Sequence, residues 1–204
     1  MRPLSKRIFM ILGAAAVMIA VLPPLGAVAT ELFAAHMAQH LILIAVAAPL
    51  LAASRVEPIP LPPIWVWIAF VANFLFWHWP VAFQWAAGSA GGGFLELSSI
   101  LVTAFLFWSA AFATDRLSYG ARALFVMTGA VATDLPGVIM VFAPRVICTM
   151  PGENALVWGV TPLQDQQIAG MLMWVPANLI FFAIATYLFA RWMAAPDQQH
   201  PVTA

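Results

Sequence analysis

The sequence has very little charge and almost no cysteine. Lys and Arg number 8 and Asp and Glu number 8 among 204 residues, so charged residues make up 8% of the chain and cancel to a net charge of zero. A neutral chain has no electrostatic basis for binding a nucleic acid, and we expect no such partner. Because Cys148 is the single cysteine, an intramolecular disulfide, a CxxC redox motif and a thiolate zinc site are all excluded.

Apolar residues dominate the chain. They make up 64% of it, and they occur in runs of about 20 residues, which is the length that a helix needs to cross roughly 30 Å of hydrocarbon. Strands of a membrane barrel would instead alternate apolar and polar residues, which these runs do not do. We therefore predict an all-α fold, a polytopic transmembrane helix bundle embedded in the lipid bilayer.

Six apolar segments are predicted to span the membrane. They cover residues 8–22, 31–53, 64–87, 94–113, 121–143 and 161–193. Residues 1–29 are either a first span or a signal-like segment, because a basic leader, an apolar core and small residues precede Thr30; if they are cleaved, five spans remain. Residues 30–194 are predicted to form the membrane helix bundle, and residues 195–204 a polar cytoplasmic tail.

Local signals predict where several spans begin or break. Residues 30–31 (Thr-Glu) predict a helix start with an N-cap hydroxyl and a first-turn acid. Residues 161–164 read as a capping box with proline at the first helical position. Pro80 is expected to kink or end the third span. The four glycines of residues 88–93 predict a flexible outer turn, and the prolines and charges of residues 54–63 predict a stiff inner loop.

The basic residues between the spans predict the orientation of the bundle. Seven lie on the N-terminal side of the alternating spans, and these are Arg2, Lys6, Arg7, Arg55, Arg116, Arg122 and Arg191. Only Arg145 lies on the other side. The positive-inside rule therefore predicts that both termini are cytoplasmic.

The ionisable residues within the spans are concentrated in the outer half of the predicted bundle. At a helical rise of about 1.5 Å per residue, His36, His40, His78, Glu96 and Asp134 all fall in that half. Ionisable groups in hydrocarbon normally pair with one another or mark a functional path. His36 and His40 are four residues apart and share one helix face.

This group of residues is suited to binding a metal ion. Imidazole and thioether are ligands for copper, and imidazole also suits zinc or haem iron. We predict that His36 and His40 bind one ion from one helix, with His78 as a third donor. Glu96 and Asp134 are predicted to support the site by accepting the second ring N–H of a histidine, which fixes its tautomer.

The methionines and Asp165 have both functional and structural interpretations. Met37 is a candidate ligand beside the histidine pair, and Met171 and Met173 are candidates for a soft approach path, although methionine is also an ordinary core filler. His78 could equally be a histidine that hydrogen-bonds between helices. Asp165 is explained as a first-turn acid on a capped helix.

Several short motifs of the chain are similar to those of a known family. They are residues 36–41 (His-Met-Ala-Gln-His-Leu) with Pro49, residues 77–78 (Trp-His), residues 142–144 (Phe-Ala-Pro), residues 165–170 (Asp-Gln-Gln-Ile-Ala-Gly) and residues 173–176 (Met-Trp-Val-Pro). The sequence resembles the polytopic CtaG-like cytochrome c oxidase assembly proteins of bacteria, which are distinct from the single-span copper chaperone that shares the name.

The resemblance implies a role in maturing a haem-copper oxidase in the bacterial cytoplasmic (inner) membrane, with cytochrome c oxidase subunits as partners. It also makes Asp165 and Gln166 supporting residues of the candidate site, as members of the longest motif. Two departures from the family are visible. Its members usually have a histidine-rich turn around the glutamate of the fourth span, where this chain keeps only Glu96, and they often have seven spans.

Three functional hypotheses follow. The leading one is a non-enzymatic assembly factor that handles or inserts copper at the outer face of the membrane through His36, His40 and His78. The second is a scaffold without metal, in which residues 165–176 dock an oxidase subunit. The third is a haem-binding redox protein that uses His36 or His40 together with His78.

Overall fold

The computed structural model describes residues 3–54, 60–113, 117–152 and 154–194, and every regular element within these ranges is helical. The elements are α1 Pro3–Val21, α2 Leu25–Val28, α3 Phe33–Ile42, a π-helical turn Leu43–Ala47, α4 Ala48–Ser54, α5 Pro63–Trp77, α6 Pro80–Ala87, α7 Ala90–Phe112, α8 Tyr119–Phe142, a 3-10 turn Ala155–Trp158 and α9 Pro162–Met193. Most of the predicted inner loop (residues 55–59) and the predicted tail (residues 195–204) lie outside the described residues.

The predicted membrane bundle is confirmed. Among the described residues, five helical stretches are long and apolar enough to span a membrane, and α5 with α6 adds a sixth if the bent pair is counted as one span. The N-terminal segment is helical and packs on the second span. Gly13 approaches Leu51 closely, and Gln39 Nε2 donates a hydrogen bond to the Ala20 carbonyl at 2.7 Å. Cleavage of this segment as a signal stays a prediction.

The second span contains a π-helical turn that the sequence did not predict. The N–H of Ala48 bonds to the carbonyl of Leu43, five residues earlier, instead of four. The Trp108 indole of α7 donates a hydrogen bond to the Ile44 carbonyl at 2.7 Å, within this turn. Single π turns inside helices are frequent at functional sites, and this one directly follows the segment that carries both histidines.

The third span is broken in its C-terminal half. Helix α5 has 15 residues, or about 22 Å, and is therefore shorter than the hydrocarbon layer. Helix α6 leaves it at 74°. Pro80 occupies the first turn of α6 and Trp79 is its N-cap, so the predicted break at Pro80 is confirmed. His78 stands at the bend as the C-cap of α5.

The predicted flexible glycine turn is wrong for most of its length. Residues 90–93 form the first turn of α7, because the Ser89 hydroxyl accepts a hydrogen bond from the Gly92 amide and caps the helix. A Cβ on Gly92 would lie 2.8 Å from the Ala86 Cα. This glycine therefore permits close packing of α6 on α7, which carries Glu96 one turn further along.

Helices α8 and α9 form a tight pair on the other side of the bundle. A Cβ on Gly170 would lie 2.7 Å from the Gly137 carbonyl oxygen, so the two backbones are nearly in contact. The predicted capping box at the start of α9 is confirmed, with Thr161 and Gln164 each accepting a hydrogen bond from the other's backbone. These two hydrogen bonds fix the N-terminal end of α9, where Asp165 and Gln166 lie.

Candidate metal centre

His36, His40 and Glu96 meet near the end of the bundle where α3 and α7 begin. Glu96 Oε1 lies 3.3 Å from His36 Nε2 and 3.5 Å from His40 Nε2. The two imidazole centroids are 4.6 Å apart, so the predicted shared helix face is confirmed. His36 is 6% exposed, His40 is 1% exposed and Glu96 is 0% exposed. Glu96 was predicted to lie behind the ligands, but it is at the centre of the cluster.

His78 completes this group from the bend between α5 and α6. Its Nδ1 donates a hydrogen bond to the Phe74 carbonyl at 2.7 Å, which leaves the lone pair on Nε2. The Phe74 ring stacks on the imidazole with centroids 4.0 Å apart. The His78 and His40 centroids are 5.4 Å apart. The structure therefore places three imidazoles and one carboxylate together, and we refer to these four residues as the histidine cluster.

Several polar atoms of the histidine cluster are buried without a hydrogen-bond partner among the described residues. They are His40 Nδ1 and Nε2, His78 Nε2 and Glu96 Oε2. Buried polar atoms are nearly always paired in folded proteins, and an orphaned one needs an explanation such as a bound ion. Four such atoms in one place make the histidine cluster a candidate ligand site.

The geometry of His36, His40 and Glu96 within the histidine cluster fits a tetrahedral metal ion. With metal–nitrogen bonds of about 2.0–2.1 Å, neighbouring ligands of such an ion are about 3.3 Å apart. The two contacts of Glu96 with histidine, at 3.3 Å and 3.5 Å, have this spacing. One ligand atom from each of His36, His40 and Glu96 falls within 4.8 Å of the others. Imidazoles with one carboxylate suit copper or zinc.

The start of α3, one turn before His36, is held by another helix. Asp165 of α9 accepts hydrogen bonds from the amides of Phe33 and Ala34 at 2.8 Å and 2.9 Å. The predicted cap by Thr30 is wrong, because its hydroxyl donates to the Ala27 carbonyl and α3 begins three residues later. Asp165 does lie in the first turn of α9 as predicted, and its carboxylate also caps α3.

Gln166 holds the loop that follows α8 at this end of the bundle. Its side-chain oxygen accepts hydrogen bonds from the amides of Ile147 and Cys148. On the other side of the loop, Gln84 of α6 donates to the Thr149 carbonyl at 3.0 Å. The supporting role of Gln166 is therefore to hold this loop, and the described contacts do not include the histidines.

Two phenylalanine rings, from α3 and α6, cover one side of the histidine cluster. The Phe83 ring of α6 lies 5.6 Å from the His36 ring and 5.0 Å from the Phe33 ring, measured between centroids. Both phenylalanines are 2% exposed. The cluster is therefore shielded from bulk water on this side.

Asp134 is not part of the histidine cluster. It was predicted to reach the histidines, but its Oδ1 accepts a hydrogen bond from Asn178 of α9 at 2.7 Å. The sequence predicts how deep Asp134 lies along its span, but it does not predict which side of α8 carries the residue. Asp134 therefore links α8 to α9, as a polar pair between helices commonly does.

The three candidate methionines are in different environments. Met37 is fully buried and Met173 is 9% exposed, both within the apolar core. Met171 is 53% exposed and lies on the outside of the bundle. Packing accounts for Met37 and Met173, and Met171 does not line an inner approach path to the histidines.

The comparisons with known proteins found one family. The model of the cytochrome c oxidase caa3 assembly factor family matches residues 2–61 and 54–195, which together cover nearly the whole chain. No curated protein and no solved structure gives a significant match.

Proposed function

The chain belongs to the cytochrome c oxidase caa3 assembly factor family, and we propose that it handles copper during the assembly of the oxidase. In this proposal the ion is cargo, bound by His36, His40 and His78 with Glu96 among them. The protein carries out no chemical conversion and passes copper on to oxidase subunits.

The buried, unpaired donors of the histidine cluster carry this proposal. Ionisable residues inside a membrane bundle are costly to keep and rarely lack partners. Here His78 Nε2 and Glu96 Oε2 are buried and have no hydrogen-bond partner within the part of the chain that the structure describes. A bound cation accounts for both, and copper fits the nitrogen ligands and the function of the family.

We place the site in the outer half of the bacterial cytoplasmic membrane. The cluster is at the end of the bundle where α3, α7 and α9 begin, next to the loop that follows α8. The basic residues of the chain favour the opposite end as the cytoplasmic side. This orientation makes both termini cytoplasmic and the copper site accessible to outward-facing partners.

Copper loading of the purified protein tests the proposal. The protein in lipid or detergent is given copper(I) under reducing conditions, washed and analysed for bound metal. We expect a single tightly held ion per chain, and none in a His36→Ala, His40→Ala double variant. Asp134→Asn is the matched control, because it neutralises an intramembrane carboxylate outside the cluster and should bind like the parent. Equal, negligible binding by all three proteins contradicts the proposal.

Two other functions are outcomes of related measurements. If the double variant accumulates normally and still supports oxidase assembly in cells, the protein acts as a scaffold that docks oxidase subunits. A Soret band in the purified protein, lost in the double variant, would instead indicate a haem-binding redox protein.

A further inference from the structure

A groove separates the start of α8 from the end of α9, although the two helices are nearly in contact at Gly137 and Gly170. Its volume is about 690 Å³, which is within the range of ligand-binding pockets. Because α9 begins beside the histidine cluster and ends here, the groove is at the opposite end of the bundle. Most of its lining is apolar, and includes Leu124, Met127, Phe182, Phe189 and Trp192.

Small residues leave room for this groove. Ala123 and Ala185 line it from facing helices, and both are buried. Gly120 also lines it, and a Cβ there would lie 3.1 Å from the Trp192 ring. Larger side chains at these positions would fill the space between α8 and α9. The result is a concave apolar surface that suits a hydrocarbon chain.

The end of the groove where α8 begins is positively charged. Arg191 is the neighbour of Trp192 in sequence, and its Cζ lies 5.3 Å from the centroid of the Tyr119 ring. The Cζ of Arg122 lies 5.0 Å from the same centroid. Tyr119 follows the groove residue Ser118 directly. Two arginines therefore share one tyrosine ring at this end of the groove.

The two arginines differ in their access to a ligand. Arg122 is buried and donates a hydrogen bond to the Ala111 carbonyl at 2.6 Å. Arg191 is exposed and donates to the Tyr187 hydroxyl at 3.1 Å. The ion pairs found in the described part of the chain all belong to the histidine cluster. Since a guanidinium has five N–H donors, Arg191 can offer further donors to an anion, and Arg122 adds positive charge behind it.

We propose that this groove binds an anionic phospholipid, with an acyl chain along the apolar lining and the phosphate beside Arg191. Arginine can bind phosphate through two parallel N–H···O bonds, and basic pockets between membrane helices bind anionic lipid headgroups. A phospholipid carries a hydrocarbon chain and a negative charge in one molecule, and so matches both parts of the groove. This site is separate from the histidine cluster and does not depend on the proposed copper function.

Native mass spectrometry of the delipidated protein in detergent tests the proposal. The probes are dioleoyl phosphatidylglycerol, which is anionic, and dioleoyl phosphatidylcholine, which has the same chains and no net charge. The variants are Arg191→Gln, Arg191→Lys and Thr186→Trp, which fills the groove from an exposed position. Arg145→Gln is the matched control, because it removes an exposed arginine at the other end of the bundle.

We expect the parent to bind phosphatidylglycerol more tightly than phosphatidylcholine. Arg191→Gln should weaken phosphatidylglycerol binding by about fivefold, the effect of one basic residue near a membrane surface. It should weaken phosphatidylcholine binding less, because choline carries a compensating positive charge. Arg191→Lys should keep most of the preference, and Thr186→Trp should weaken the binding of both lipids. Arg145→Gln should stay within about twofold of the parent, as expected for a distant residue.

Two results overturn the proposal directly. One is equal affinity of the parent for the two lipids, and the other is a preference for phosphatidylglycerol that Arg191→Gln leaves intact. A third result does so by identifying another occupant. If the parent is a dimer that binds both lipids alike, and Thr186→Trp is a monomer, a second copy of the chain occupies the groove.

Discussion

Asp165 caps a helix that is not its own. Its Oδ2 lies 2.8 Å from the amide nitrogen of Phe33, although 132 residues separate the two in sequence. Asp165 is 3% exposed, and α3 has no side-chain cap from its own N-cap residue. The contact joins the N-terminal ends of α3 and α9, and so fixes the helix that carries His36 and His40.

Loss of this cap should destabilise the protein. Asp165→Ala removes the acceptor of the buried Phe33 amide and the partly buried Ala34 amide, and we expect the free energy of unfolding to fall by about 1–3 kcal/mol. Asp165→Asn keeps one acceptor oxygen and should cost less. Thermal unfolding in detergent measures both, and equal losses for Ala and Asn would contradict the assignment.

The π-helical turn depends on its indole donor. Trp108→Phe leaves the Ile44 carbonyl unpaired in a buried site and should lower the free energy of unfolding by about 1–3 kcal/mol. Trp65→Phe is the control, because that side chain is 64% exposed and should be nearly neutral. Similar effects of the two substitutions would mean that the hydrogen bond to Ile44 is not stabilising.

The close approach of α8 and α9 requires glycine at the contact. A Cβ at Gly170 meets the backbone oxygen of Gly137 at 2.7 Å, so Gly170→Ala must push the helices apart and lower the melting temperature. Gly91→Ala is the matched control, because nothing lies within 4 Å of the added atom. We expect it to be neutral or stabilising by up to about 1 kcal/mol, since alanine favours helix more than glycine. A stable Gly170→Ala protein would refute the close packing.

The thiol of Cys148 should be unreactive in the folded protein. Burial raises the pKa of Cys148 to about 11 from an ordinary value of 9.0, and the residue is 2% exposed. The thiolate is the reactive form, so maleimide labelling should be slow at neutral pH and should accelerate as the pH rises towards this pKa.

A variant of Gln166 tests the same labelling reaction in the opposite direction. Gln166→Ala removes the acceptor for the amides of Ile147 and Cys148, which should loosen the loop and speed the reaction. Thr128→Ala is the control, because the Thr128 hydroxyl donates to the Leu124 and Phe125 carbonyls of its own helix, and this substitution should leave the rate unchanged. Rapid labelling of the folded parent at neutral pH would contradict the buried position of the thiol.

The sequence was sufficient to predict features that depend on local spacing or on depth. The apolar runs predicted the bundle, Pro80 predicted the break in the third span, and the spacing of His36 and His40 predicted their shared face. Each of these follows from helix geometry or from the missing N–H of proline. None requires knowledge of how one helix packs against another.

Features that depend on packing between helices were not predictable. Depth along a span can be read from the sequence, but the side of the helix that faces a given neighbour cannot. This is why Glu96 and Asp134 were given the same role, although Glu96 contacts both histidines and Asp134 contacts Asn178. The cap of α3 by Asp165 also joins distant parts of the chain, and Thr30 gave a misleading local signal.

The break between α5 and α6 also brings the ends of two helix dipoles to the site. A helix that ends inside the bundle points its last carbonyl groups at whatever lies beyond, and these carry the negative end of the helix dipole. Helix α5 ends at Trp77, directly before His78. The positive end of α3 lies nearby, but the Asp165 carboxylate offsets it. The positive end of α6, which begins at Pro80, lies beside the negative end of α5, so the break brings two opposed helix ends to His78, as interrupted helices do in membrane transporters.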